Sequence, residues 1–130
     1  MKALEHLTNL GFINVGKWED NSFIVKSNMA HNKDYYSCVY AISINEEIKY
    51  IGYTSQSIED RIKNHETIKS HMKYFNNNSH VFMEFYQDIS WGQYYLDLAQ
   101  GMEYCMIDVF KPKWNIDGKP SKEKKGLEII

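Results

Sequence analysis

Within residues 38–65, CVYAISINEEIKYIGYTSQSIEDRIKNH, two tyrosines, a glycine, an arginine and a histidine share a compact hairpin-then-helix frame. Tyr40 and Tyr50 offer phenols, Arg61 a planar fork of donors that matches a phosphate, and His65 an imidazole that titrates near neutrality. The chemistry such a set would do is the cutting of a phosphodiester.

Two elements must position these groups. Tyr40, Ile42 and Ile44 alternate with Val39, Ala41 and Ser43, and Ile48, Tyr50 and Gly52 alternate with Lys49, Ile51 and Tyr53, which predicts a pair of short strands. If Asn45, Glu46 and Glu47 form the turn, Ile44 faces Ile48, Ile42 faces Tyr50 and Tyr40 faces Gly52, with both hydroxyls on one face. A two-residue turn would break that parity. Gly52 is expected to leave the face open, so that a DNA strand can approach the Tyr40 phenol. Ser57-Ile58-Glu59-Asp60 reads as a capped helix start, and the row Ile58, Ile62, Ile68, Met72 carries a helix to about residue 75. Arg61 and His65, four apart, then project from one side of it.

A second helix is expected over residues 93–110. Gln93, Asp97, Gln100 and Asp108 form its polar stripe, while Leu98, Ala99, Met102, Met106, Val109 and Phe110 form the buried one. Glu103 falls at the edge of the apolar face, where an ionised carboxylate is costly unless a cation or hydrogen-bond donors meet it. The helix ends before Pro112, after which Trp114 can pack and Asn115 can present its amide near the site.

These residues resemble the GIY-YIG nucleases, whose two signature tripeptides are represented here by Cys38-Val39-Tyr40 and Tyr50-Ile51-Gly52. The match continues through Arg61 on the first helix, His65 one turn later, Glu103 on a later helix and Asn115 beyond it, within GMEYCMIDVFKPKWN. It covers roughly residues 36–117 and is most similar to the small restriction-type and phage host-DNA-degrading members of the family. LGFINVGKWE near the N-terminus also looks like the segment that precedes the catalytic module in bacterial relatives. Cys38 stands where the family has its first glycine, and Tyr53 where a lysine is common.

The resemblance implies an α+β fold: a small three-stranded antiparallel sheet flanked by helices, with an N-terminal helix and hairpin extension. It also implies attack of water on a phosphodiester of double-stranded DNA, with Mg²⁺ as cofactor and Mn²⁺ as a possible substitute. In that reading Tyr40 is the base, its phenol brought down from about 10 by the metal, by Arg61 or by His65. Tyr50 orients water or phosphate, Arg61 holds the phosphate, Glu103 binds the metal, and Asn115 hydrogen-bonds near the scissile phosphate or braces the Trp114 loop. His65 shares the base role, positions water or contacts phosphate. Plainer roles exist for each: ordinary strand tyrosines, an Arg61 ion pair with Asp60 or Glu66, a structural histidine, and a Glu103–lysine pair.

Bulk properties bound the rest. At 130 residues and 43% hydrophobic content the chain suits one domain with a real core. Its organisation reads as an extension over residues 1–35, a catalytic module over 36–117 and a lysine-rich tail over 118–130. The extension holds a helix at 2–10, strands at 12–18 and 22–26, and a polar linker at 28–35 with an exposed His31. A third strand of the module is expected at 81–86, after an asparagine loop. No membrane span or signal peptide is visible, which predicts a cytoplasmic protein. Cys38 and Cys105 read as buried free thiols, with no metal-ligand spacing to the five histidines.

A net charge of −2 and a pI near 6.2 are unusual for a DNA binder. The cations are concentrated, however: Lys63, Lys69 and Lys73 share the arginine helix, and Lys111, Lys113, Lys119, Lys122, Lys124 and Lys125 crowd the C-terminal region. One module carries one site, so cutting both strands implies a homodimer or homotetramer. Two alternatives stand beside this reading: a noncatalytic DNA-binding or regulatory protein retaining the frame, and a structure-specific repair or recombination nuclease.

Overall fold

The computed structural model describes residues 3–31, 37–116 and 127–129. The lysine-rich tail expected at 118–130 and the end of the 28–35 linker therefore lie largely outside the described residues.

The architecture is mixed α and β, built on a five-stranded antiparallel sheet. Helix α1 (Ala3–Asn9) leads into the hairpin β1 (Ile13–Glu19) and β2 (Ser22–Val25), turned by Asp20 and Asn21 with φ of 49° and 65°. Asp and Asn tolerate that left-handed region better than most residues. Then come β3 (Ser37–Ile44), β4 (Glu47–Thr54), α2 (Ile58–Lys63), α3 (Glu66–Ser70) and β5 (Ser79–Tyr86). The strand order is β2-β1-β5-β3-β4. The sheet thus has five strands where three were expected, because β1 pairs with β5 and the N-terminal hairpin continues the sheet. A second, three-stranded sheet joins β6 (Ile89–Trp91), β7 (Tyr94–Leu96) and β8 (Leu127–Ile129), with α4 (Leu98–Phe110) and α5 (Lys113–Ile116) following β7 in the chain.

Both faces of the sheet are covered, so β3 is buried along nearly its whole length. On one face Tyr40, Ile42, Ile44, Val81 and Met83 pack under Ile58 and Ile62 of α2, Ile68 of α3, Phe75 and Trp114. On the other, Val39, Ala41 and Ile51 pack under Leu7 of α1 and Ala99 and Met106 of α4. Strand β4 is an edge strand, and both α4 and α5 pack against it.

The β3–β4 hairpin reaches its expected register by an unexpected route. The turn has two residues, Asn45 and Glu46, both with positive φ (51° and 68°), and Ile44 pairs with Glu47. That turn alone would place Tyr50 on the wrong face. A bulge restores the parity: Ser43 pairs with Ile48 but Ile42 pairs with Tyr50, so Lys49 is the extra residue. Tyr40 then lies opposite Gly52, as the alternation predicts.

Two helix expectations change. Residues 58–75 do not form one helix: α2 stops at Lys63, His65 caps α3 in an extended conformation, and a 3₁₀ turn at Met72–Tyr74 follows. Ile62 and Ile68 stand six apart, a spacing that no single helix can keep on one face, and the break re-aims the second segment onto the sheet. Likewise, residues 93–97 are not helical. They belong to the β6–β7 hairpin, which turns at Gly92 (φ 56°), and α4 starts only after Asp97. Within α4, Val109 is 72% exposed rather than buried. Cys105 is also exposed, whereas Cys38 is buried as expected.

Gly52 is occupied rather than open. A Cβ at this position would fall on the Tyr40 ring and hydroxyl, well inside contact distance. The phenol itself fills the space that was expected to admit DNA. Gly52→Ala should therefore displace Tyr40 and destabilise the protein by about 1–3 kcal/mol, the usual cost of overpacking. Urea denaturation checks this, and an unchanged midpoint would show that the ring is not held there.

Candidate active site

Four of the six sequence-nominated residues, Tyr40, Tyr50, Arg61 and His65, come together on the α2/α3 side of the β3–β4 pair. Tyr40 is fully buried, and its hydroxyl accepts a hydrogen bond from Arg61 Nε at 3.3 Å. The Tyr50 ring lies 6.1 Å from the Tyr40 ring, centroid to centroid. His65 stands edge-on to both, 4.9 Å from Tyr50 and 6.2 Å from Tyr40. Glu103 arrives from α4, which packs on the opposite face of the sheet. Its charge nonetheless acts on both Tyr40 and Arg61.

Local chain chemistry explains these placements. Ser57 Oγ accepts from Asp60 N at 3.2 Å and starts α2, which carries Arg61 toward Tyr40. His65 caps α3 with its own ring, Nδ1 accepting from Thr67 N at 3.1 Å. With the Nδ1 lone pair engaged, the neutral imidazole carries its proton on Nε2. That Nε2 is buried and has no hydrogen-bond partner among the described residues. An unsatisfied buried donor costs about 1–3 kcal/mol, which a bound acceptor such as a phosphate oxygen would recover.

Asn115 has a different position from the one expected. Its Oδ1 accepts from Ile51 N and its Nδ2 donates to Ile51 O, both at 2.8 Å. The side chain imitates a neighbouring strand on the open edge of β4, satisfying a backbone pair that the sheet leaves over. It thereby fixes the segment between Tyr50 and Gly52. Of the two roles weighed for it, bracing is the one its hydrogen bonds perform. Trp114 next to it is buried between His71, stacked at 4.2 Å, and Phe75.

A residue pair missed in the sequence ties the start of α4, the helix that carries Glu103, to β4. Asp97 Oδ1 accepts from Gln100 N at 3.1 Å to cap α4, and its Oδ2 accepts from the Tyr53 hydroxyl at 3.1 Å. Tyr53, where the resembling family favours lysine, ties the start of the glutamate helix to β4. Asp97 three residues before Gln100 was a readable capping signal, obscured by placing both on a helical polar stripe.

The electrostatics of the cluster follow from burial. Burial raises the Tyr40 phenol well above its usual range, with Tyr50 and Glu103 adding to the effect and Arg61 opposing it. Of the two protein groups expected to bring it down, Arg61 does pull in that direction but is outweighed. His65 adds no charge at neutral pH, since burial and then the Arg61 cation push its imidazole down to about 4. Burial would lower Arg61, but Tyr40, Tyr50 and Glu103 outweigh it and keep the guanidinium charged.

Among the described residues there is no group of three or more His, Cys, Asp or Glu side chains able to hold a metal. Mg²⁺ does not require one. It keeps several waters and takes one or two carboxylates together with phosphate oxygens, so a single carboxylate such as Glu103 is compatible with it.

The His65 shift fixes a pH dependence. Its folded value of about 4 lies below the unfolded value near 6.5. Stability from this residue is therefore complete above about pH 6.5 and falls as pH drops toward 4, because the unfolded chain takes up the proton first. Urea titrations at pH 7 and pH 5 should show a larger loss for the wild type than for His65→Gln. Equal losses would mean that His65 is not held neutral by the fold. Compared with known proteins, the chain matches no family model, no curated protein and no solved structure.

Proposed function

We propose that this chain is a GIY-YIG-type endonuclease that hydrolyses phosphodiester bonds in double-stranded DNA with a divalent cation. The observation that carries the reading is the convergence of Tyr40, Tyr50, Arg61 and His65, with the Glu103 charge acting on Tyr40 and Arg61, around a buried imidazole donor that has no partner among the described residues. A purely structural histidine would be expected to satisfy both ring nitrogens.

Arg61 holds the phosphate through the part of its fork that Tyr40 does not occupy, and stabilises charge as the bond breaks. His65 donates from Nε2 to a phosphate oxygen or to water. This favours its positioning role over the base role, because its free lone pair is already engaged by Thr67. Tyr50 orients the water. Tyr40, in its ionised phenolate form, is left as the group to take the water's proton. A bound Mg²⁺, held by Glu103, would neutralise phosphate charge and favour ionised oxygens beside it. A raised phenol predicts cleavage that accelerates with pH above neutrality, with no inflection near 6.5 from His65.

Supercoiled plasmid incubated with Mg²⁺ at low salt tests this directly. The wild-type chain should cut, EDTA should silence it, and Arg61→Ala should lose about 10²–10³ in rate. Nicked product would correspond to one site acting alone, linear product to a homodimer or homotetramer presenting two. A protein that binds the plasmid without cutting it would replace this reading with the noncatalytic one.

A further inference from the structure

Beside the cluster, on the same face of the sheet, lies a groove of about 380 Å³ lined by Ile44, Asn45, Glu47, Lys49, His71, Tyr74, Lys113 and Trp114. This volume is within the range of about 300–1,000 Å³ typical of small-ligand cavities. Two features connect it to the tyrosine cluster. The bulge makes Lys49 the extra residue directly before Tyr50, so adjacent side chains serve the groove and the cluster. On the other wall, Trp114 precedes Asn115, whose amide grips the strand between Tyr50 and Gly52.

The lining is chemically mixed in a particular way. Lys49 comes from β4 and Lys113 from α5. Lys49 is paired with the exposed Glu47 at 3.2 Å, the one acidic residue of the lining. Trp114 and His71 stack at 4.2 Å into a firm wall. Tyr74 is 52% exposed at the rim, with Lys73 Nζ 5.1 Å from its ring centre. Two lysines, an aromatic wall and an exposed ring lining one groove suit a ligand that is anionic at one end and planar at the other. Single-stranded nucleic acid is bound by this combination of phosphate contact and ring stacking.

We propose that this groove takes one unstacked nucleotide of the DNA beside the cluster, its phosphate between Lys49 and Lys113 and its base against Tyr74. The inference rests on the reading of the tyrosine cluster as the site of DNA cleavage. It deepens that reading by requiring local opening of the duplex next to the cut. Such a contact would also help a chain of net charge −2 to hold DNA without a broadly basic surface.

The test is fluorescence anisotropy in EDTA with a labelled single strand of about twelve nucleotides and the blunt duplex of the same sequence. Lys113→Ala and Tyr74→Ala alter exposed side chains, and each should weaken single-strand binding by about tenfold. Lys113→Ala should also reduce the salt slope by about 0.7. Lys26→Ala, on an exposed side chain just beyond the far edge strand β2, should change neither. Unchanged single-strand binding in both groove variants would overturn the subsite. Equal weakening of duplex and single strand would overturn the unstacked nucleotide, assigning the groove to duplex backbone. Plasmid cleavage by the wild-type chain keeps the two readings apart. Cutting with unaffected groove variants removes the subsite alone, whereas groove-dependent binding without cutting removes the catalytic reading alone.

Discussion

A two-residue turn at Asn45 and Glu46 and a bulge at Lys49 together set the register of β3 on β4, and nearly every feature of the candidate site depends on it. Slipped by one residue, β4 would turn Tyr50 to the α4 side, away from Tyr40 and His65, while pairing with β5 keeps Tyr40 in place. In the register observed, Tyr40 lies over Gly52, the only residue type at that position that leaves room for its ring. Edge strand β4 is then locked from outside by Asn115, which pairs with both backbone groups of Ile51. Turn, bulge, glycine and amide clamp act on one short stretch of chain, and that stretch carries Tyr50.

This register gathers a polar cluster in a poorly solvated place. Burying a phenol, an imidazole and a guanidinium together is unfavourable unless each finds a partner. Arg61 finds Tyr40, and His65 Nδ1 finds the Thr67 backbone, while Nε2 finds none among the described residues. The fold holds His65 neutral and Arg61 charged at neutral pH, a division of labour between a donor and a cation. Perturbed groups gathered in this way are more often found at functional sites than elsewhere, which is why the cluster rather than any single residue supports the nuclease reading.

Much of this was legible in the sequence where a side-chain pattern has one physical solution. Strict alternation in residues 39–53 gave the hairpin and Ser57 the start of α2, whereas the Tyr40–Gly52 pairing, expected from a three-residue turn, is reached by a two-residue turn and a bulge. The turn and bulge were not legible, because two compensating irregularities leave the same downstream register as none. The break of the 58–75 segment at His65 was hidden in a similar way. An i, i+4 relation between Arg61 and His65 looks like one helix face, although the phase jump from Ile62 to Ile68 argues against it. Asn115 could be nominated but not assigned, since an amide beside a site and an amide clamping a strand look alike in one dimension. Whether β1 and β2 join the main sheet is a tertiary choice, decided by pairing with β5 that no local pattern encodes.

If these side chains act as one reacting centre, their contributions to cleavage must be coupled. A double-mutant cycle on plasmid cleavage in Mg²⁺, comparing Arg61→Ala, Glu103→Gln and the double variant, tests this most directly. Groups that serve one transition state are strongly non-additive, so the double variant should be hardly slower than the slower single variant. Losses that simply multiply, or a wild-type chain that does not cut, would contradict a shared centre.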